Sequence, residues 1–385
     1  MFSKTLIEKF KQIETPFYFY DVELLEKTLS TVKKASEKYN FSVHYALKAN
    51  SNNRILNLIQ KKGFGADCVS GNEVLKAVEN GFSPSKIAFA GVGKTDKEIK
   101  IGLSAGIFSF NCESIPEIEV INQIAGQEGK LAKIALRINP NVDSKTHKHI
   151  TTGLSENKFG VNYEDFPELL KIIKPLKNIQ LVGIHFHIGS QITNLSVFKD
   201  LCIRINEIQE IFIYQNTEIE HVNVGGGLGI SYENPDEDAT SRFEEYFKIF
   251  ADNLKLKQGQ TVHFELGRSI IAQTGSLISK VLYVKKGTSK SFLILDAGMN
   301  DLIRPALYQA FHKIESLTSA KENTVYDIVG PVCESTDVFV KDFKLPQAQR
   351  GDLVAIRSTG AYGEVMASAY NLKDFAKAYY SDILL

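Results

Sequence analysis

The stretch Ser42-Val43-His44-Tyr45-Ala46-Leu47-Lys48-Ala49-Asn50 alternates like a β-strand and closes on a lysine just before a polar turn. Successive strand side chains point to opposite faces. Val43, Tyr45 and Leu47 therefore share one face, and His44, Ala46 and Lys48 the other. A lysine held at a strand end inside a fold can lose its proton readily and attack a carbonyl. Taken alone, such a lysine is simply a solvated strand terminus, so the rest of the chain has to decide its meaning.

Outward from this stretch the same unit repeats. Strand patterns recur near 43–48, 64–69, 86–91, 107–111, 133–139, 181–187, 221–225 and 261–266. Helix-like patterns fill the gaps, as in Arg54 to Ile59, Glu73 to Val78, Phe198 to Ile213 and Phe243 to Leu256. Strands alternating with helices in this number predict an α/β fold, a (β/α)8 TIM-like barrel, whose usual size of roughly 250 residues suits the span. An open doubly wound sheet is the competing architecture; the lack of a strong nucleotide fingerprint disfavours it. After about residue 275 the texture changes. Leu277 to Val284, Ser291 to Leu295, Val325 to Val329 and Leu353 to Arg357 read as strands joined by turns. The expected domains are thus a barrel over 21–275 and a mostly β C-terminal domain over 276–385. The strand Phe17-Tyr18-Phe19-Tyr20, within 1–20, is expected to join the latter.

Bulk properties narrow the function. The 385 residues carry 45 Lys and Arg against 45 Asp and Glu, so the net charge is zero. That speaks against nucleic acid or an acidic membrane as a main partner. No apolar run is long enough to span a bilayer, and the first eleven residues lack a signal-peptide core. Cys68, Cys112, Cys202 and Cys333 are far apart and form no CxxC pair, which supports neither a disulfide framework nor a zinc knuckle. The expected compartment is the reducing cytoplasm.

In such barrels chemistry sits at the C-terminal ends of the strands. Lys48, Asp67, Arg137 with Asn139, His185 with His187, and His263 with Glu265 all fall near strand ends and are expected to point into the open end. The run Gly225-Gly226-Gly227-Leu228-Gly229 follows the seventh strand, where barrels often bind phosphate. Glycine lets backbone N–H groups approach an anion. A carbonyl-seeking lysine, a phosphate loop and a carboxylate able to keep a pyridine nitrogen protonated together suit pyridoxal 5'-phosphate. Glu265 would be that carboxylate, unless it is spent on a salt bridge to Arg268 or Arg137, and His187 could stack on the ring.

These residues resemble those of the fold-type III pyridoxal-phosphate decarboxylases, in particular the branch acting on diaminopimelate. The resemblance runs through Tyr45 to Asn50, His187 to Gln191, Gly225 to Gly229, Glu265 to Arg268, Leu302 to Tyr308, Gly330 to Ser335 and Gly360 to Gly363. It implies that Lys48 is the Schiff-base lysine and His187 the stacking residue. By the same resemblance Asp67, Ser190, Gly225, Gly226, Gly227, Glu265, Gly267, Arg268 and Tyr362 bind the cofactor. Arg304, Tyr308, Arg268, Glu334 and Tyr362 bind substrate, and Cys333 returns a proton after CO2 leaves. It implies conversion of meso-2,6-diaminopimelate to L-lysine, the last step of lysine biosynthesis, by a homodimer in which Cys333 and Glu334 serve the partner's lysine. No metal is implied. Arg304 with Glu334 suits a distal centre bearing both charges.

Three departures from the family pattern stand out. Leu266 occupies a usual proline position, Phe186 stands where a small residue is common, and no proline-rich stretch follows Tyr370-Asn371. None of them removes a group that does chemistry. The rival readings are a carboxynorspermidine, lysine or ornithine decarboxylase of the same fold, a metal-dependent barrel hydrolase using His185 and His187, and a non-catalytic cofactor-binding protein.

Overall fold

A computed structural model describes residues 2–142, 158–162, 166–215, 217–237 and 242–384. The chain forms two compact units, one of Leu29–Gly229 and Thr240–Gly267, the other of Met1–Thr28, Ile230–Ala239 and Arg268–Leu385.

Strand β1 (Phe17–Tyr20) comes first in the chain, and the strands of the first unit follow. These are β2 (Ser42–Ala46), β3 (Gly65–Cys68), β4 (Ile87–Phe89), β5 (Ser109–Cys112), β6 (Ala132–Asn139), the two-residue β7 (Val161–Asn162), β8 (Ile179–His185), β9 (His221–Asn223) and β10 (Thr261–Leu266). All their pairings are parallel. β2 pairs with both β3 and β10, and the β5–β6 pairing closes the ring, so the sheet is a barrel with β7 attached beside β6. The open doubly wound alternative would leave two edges that this ring does not have.

Local sequence chemistry sets where the barrel helices begin. Asn52, Ser70, Thr95 and Ser114 are N-caps whose side chains accept from backbone N–H groups of the first turn. Thr95 and Glu98 complete a capping box. The first-turn acids also reach back to the loops that leave the strands: Glu73 accepts from Val69 N–H at 2.7 Å, and Glu117 from Glu113 N–H at 2.6 Å. The loops at the C-terminal face are therefore held by the helices they start. On the outside, Phe264 of β10 packs edge-on against Tyr246, Phe247 and Phe250 of the helix Arg242–Asn253.

Two strands end earlier than their alternation suggests. β2 stops at Ala46, and Lys48 sits in a 3-10 turn over Leu47–Ala49. The last β2 pairing is Ala46 with Asp67, beyond which the chain turns toward the Asn52 cap and the extended parity lapses. β8 ends at His185, so His187 lies past the strand.

The second unit holds β11 (Gly275–Lys286), β12 (Ser291–Leu295), β13 (Ile314–Ser316), β14 (Asn323–Val329), β15 (Val338–Pro346), β16 (Leu353–Ile356) and β17 (Lys377–Tyr380). Their order is β13-β16-β11-β12-β14-β15, and β1 lies between β11 and β17, antiparallel to the first and parallel to the second. Leu6, Phe10, Phe17, Phe19, Ile278, Leu353 and Ala355 form a buried cluster beneath this sheet edge. The sequence pattern omits β13, β15 and β17. In β15 the alternation is broken at Asp342, whose φ of +52° belongs to a bulge opposite β14.

Candidate active site

Lys48 Nζ donates to Asp67 Oδ2 at 3.2 Å. Asp67 is fully buried, and its other oxygen, Oδ1, has no hydrogen-bond partner among the described residues. Burial and the neighbouring Glu265 push the Asp67 carboxyl up, and Lys48 opposes them. The lysine itself is 37 % exposed, so its amine is reachable while its counter-ion is not.

Glu265 lies on β10 and is held on both oxygens. Asn111 and Asn223 donate to Oε1 at 3.0 and 2.7 Å, and His185 Nε2 meets Oε2 at 3.0 Å. Burial would raise this carboxyl, but His185, which hydrogen-bonds it, and Lys48 hold it far below the usual range, so it stays an anion. The salt bridge to Arg137 considered from sequence does not form, because Arg137 pairs with Glu113 at 2.7 Å. Asn139 accepts from Asn141 N–H at 3.0 Å.

His187 is half-buried, and its Nδ1 accepts from Gly226 N–H at 3.4 Å. Enclosure, together with Lys48 and Arg137, holds its imidazole well below the usual histidine range, so it is neutral. The glycine loop runs close under backbone. A Cβ on Gly225 would stand 2.2 Å from Phe186 O, and one on Gly226 would stand 2.0 Å from Glu265 O. The Ser190 loop is tied to it, because Ile192 N–H donates to Gly227 O at 2.8 Å. Gly267 passes over the lysine turn, where a Cβ would be 2.9 Å from that of Ala49.

His263 does not join this group. Its Nδ1 meets His44 Nε2 at 2.8 Å and its Nε2 meets Thr261 Oγ1 at 2.9 Å, around the ring of Phe108. It shares a face with Glu265 but sits one strand repeat nearer the N-terminal end, about 7 Å deeper. The expectation that His263 points into the open end is thereby corrected.

In the second unit, Arg268 opens the short helix Arg268–Ile271, and Arg304 opens the helix Arg304–Tyr308. Both guanidiniums are buried and both donate to one oxygen, Tyr232 Oη, at 2.6 and 2.9 Å. Tyr362 lies over Arg268, 4.8 Å from the ring centroid. Arg304 also donates to His312 Nε2 at 2.8 Å, and His312 Nδ1 donates to Arg357 O at 2.9 Å. Burial and Arg304 push His312 down to about 3, which keeps it neutral and able to accept. Tyr308, at the end of its helix, is half-buried. Cys333 and Glu334 are both exposed; Cys333 N–H donates to Asn371 Oδ1 at 3.2 Å and Tyr370 Oη donates to Glu334.

Sequence reasoning missed Asn111, Asn223, Tyr232 and His312. The two asparagines carried a usable signal, being polar residues on the inward face near the ends of apolar strands. Tyr232 and His312 carried none. Among the described residues no group of three or more His, Cys, Asp or Glu side chains could hold a metal ion. No helix there is long and apolar enough to cross a membrane.

A buried anion opposite a reachable lysine, beside a backbone cradle that only glycine fits, is the donor set that pyridoxal phosphate needs, and this architecture defines a pyridoxal-dependent enzyme. The family model described as pyridoxal-dependent decarboxylase, pyridoxal binding domain, matches residues 22–272. The chain is 54 % identical to the diaminopimelate decarboxylase of Bacteroides thetaiotaomicron over 98 % of each chain. The crystal structure of diaminopimelate decarboxylase from Helicobacter pylori complexed with L-lysine superposes with a TM-score of 0.91 at 41 % identity, covering 97 % of this chain and 93 % of that one. The M. jannaschii diaminopimelate decarboxylase in co-complex with L-lysine gives 0.90 at 35 % identity, over 98 % and 89 %. The chain belongs to the pyridoxal-dependent decarboxylases, in the family of the diaminopimelate decarboxylases. It is a carboxy-lyase, and its cofactor is pyridoxal 5'-phosphate.

Proposed function

We propose that this enzyme removes CO2 from meso-2,6-diaminopimelate to give L-lysine in the cytoplasm, as a homodimer. The observation that carries the chemistry is a reachable Lys48 amine, held by Asp67, in the same barrel as Glu265 locked as an anion. The substrate follows from end-to-end similarity to enzymes bearing that name, together with the cationic pair Arg268 and Arg304.

Lys48 Nζ, which donates to Asp67, would hold the cofactor. Gly225, Gly226 and Gly227, with Ser190, Gly267 and Arg268, hold the phosphate end; Tyr362 supports Arg268. His187 would stack on the ring, and Glu265 would hold the ring nitrogen protonated. Bound there, pyridoxal 5'-phosphate supplies an electron sink for the pair left when the carboxylate departs. Arg304 and Tyr308 grip the distal carboxylate of the substrate, a task for which a guanidinium fork is suited. Glu334 takes the distal ammonium, and Cys333 Sγ delivers the proton to the carbon that lost CO2.

The dimer is supported by the surface around these last two residues. Leu372 is 95 % exposed, and Tyr370 and Phe375 of the same segment are exposed with it, while Tyr370 and Asn371 are tied to Glu334 and Cys333. Clustered exposed apolar side chains mark contact surfaces. In the proposed dimer Cys333 and Glu334 serve the Lys48 of the partner subunit. The four free cysteines suit a reducing compartment.

The test is CO2 release from diaminopimelate, lysine, ornithine, arginine and carboxynorspermidine with added cofactor. Release from diaminopimelate should dominate. Faster release from any of the others would replace the substrate while leaving the enzyme class intact.

A further inference from the structure

A carboxylate offers about four acceptor positions, two on each oxygen. In Glu265 three are filled, with Asn111 and Asn223 on Oε1 and His185 on Oε2. The position left is on Oε2. Asn223 does more than contact this carboxylate. Its own Oδ1 accepts from Gly225 N–H at 2.9 Å, while Gly225 O accepts from Glu265 N–H at 2.8 Å. Asn223, Gly225 and Glu265 thus close a ring of hydrogen bonds, and all three residues are buried. Gly225 is at φ +70°, and these two bonds hold the peptide planes on either side of it, the first through its N–H and the second through its carbonyl.

We propose that Asn223 is a positioning residue that sets both ends of the cofactor site with one amide. Its NH2 group fixes the rotation of Glu265 so that Oε2 is left for the ring nitrogen. Its carbonyl fixes the Gly225 amide plane in the phosphate loop. This rests on the roles given above to Glu265 and the glycines. Only a planar amide presents a donor and an acceptor at this reach; an aspartate would turn the donor into a second anion facing Glu265. Asn111 is the natural control, because its NH2 meets the same carboxylate oxygen while its Oδ1 accepts from Ser109 Oγ at 3.3 Å and not from the loop.

The experiment compares binding of pyridoxal 5'-phosphate and of phosphate-free pyridoxal to the apoprotein, followed by absorbance titration. Asn111→Ala should weaken both ligands by the same factor. Asn223→Ala should weaken pyridoxal 5'-phosphate by about tenfold more than it weakens pyridoxal, the loss of one further hydrogen bond. Equal factors for Asn223→Ala would overturn the proposal. Asn223→Asp keeps the acceptor for Gly225 and opposes Glu265, so it should weaken both ligands alike, with affinity recovering as pH falls. A loss confined to the phosphorylated ligand would count against the proposal. Should the alanine variant not fold, the wild-type protein decides: saturation with pyridoxal alone should shift the Gly225 amide resonance, and an unmoved resonance refutes the coupling. Glu265→Ala separates this idea from its foundation. If that variant binds pyridoxal as wild type does, the ring-end assignment falls; if it is impaired while Asn223→Ala gives equal factors, only the role of Asn223 falls.

Discussion

Gly226→Ala adds one methyl group where the backbone leaves no space. The new Cβ would lie 2.0 Å from Glu265 O, against 3.4 Å for ordinary contact, so loop and strand must separate by about 1.4 Å. Neither neighbour is a flexible side chain: one is the glycine loop, the other the β10 backbone that carries Glu265. Overpacking of this kind costs about 1–3 kcal/mol. Expressed as binding, that is a roughly 5- to 150-fold loss of cofactor affinity. The displacement would move both the glycine loop proposed to hold the phosphate and Glu265, so the upper part of that range is expected. The assay is absorbance titration of the apoprotein with pyridoxal 5'-phosphate, with circular dichroism to verify folding. Gly93→Ala is the control, since its Cβ would meet nothing within 4 Å. A folded Gly226→Ala protein with affinity within about twofold of wild type would refute the assignment of this loop to the cofactor.

Lys48→Ala should abolish the visible absorbance of the bound cofactor; retained absorbance with unchanged activity would remove Lys48 from the site. Cys333→Ala should bind cofactor normally and turn over about 100-fold more slowly or worse, the usual loss for a general acid, and a near-wild-type kcat would end its proton-delivery role. Arg304→Ala should raise KM for diaminopimelate by about 10- to 100-fold, the worth of a hydrogen bond to a charged group, and an unchanged KM would remove the main support for the substrate. His221 is buried, its Nε2 has no hydrogen-bond partner among the described residues, and burial with His44 and His185 nearby pushes it down to about 3. Folded, it stays neutral; unfolded, it takes up a proton below about 6.5. The unfolded state thus binds more protons between these values, and stability falls as pH drops through that window. His221→Leu should therefore lose up to about 2 kcal/mol less than wild type between pH 6.5 and pH 5; identical acid sensitivity in urea unfolding would contradict the neutral burial.

The barrel was legible because each strand carries its own evidence. The eight strand patterns and the helices between them depend on alternation and on caps within a few residues, which are local properties. Lys48, the glycine run and Glu265 stood out as candidates in the same way, through residue type and position near a strand end. Where the chain leaves extended geometry, the reading faltered. Lys48 and His187 lie past their strands, because the parity of a strand predicts a face only while the pleat continues. The bulged β15 was invisible for the same reason.

What the sequence by itself determined is the kind of fold and which residues are candidates for its chemistry. Tertiary structure alone decided which of those groups meet. Asp67 reaches Lys48 from 19 residues away, and the two asparagines on Glu265 come from 42 and 154 residues away. Alternation says that His263 and Glu265 share a face, but only the stagger of neighbouring strands says that one binds His44 at depth and the other faces the mouth. Tyr232 became the shared anchor of two arginines through chain segments 36 and 72 residues apart. Such pairings depend on where separate segments stop against each other in space, and no local period encodes that distance.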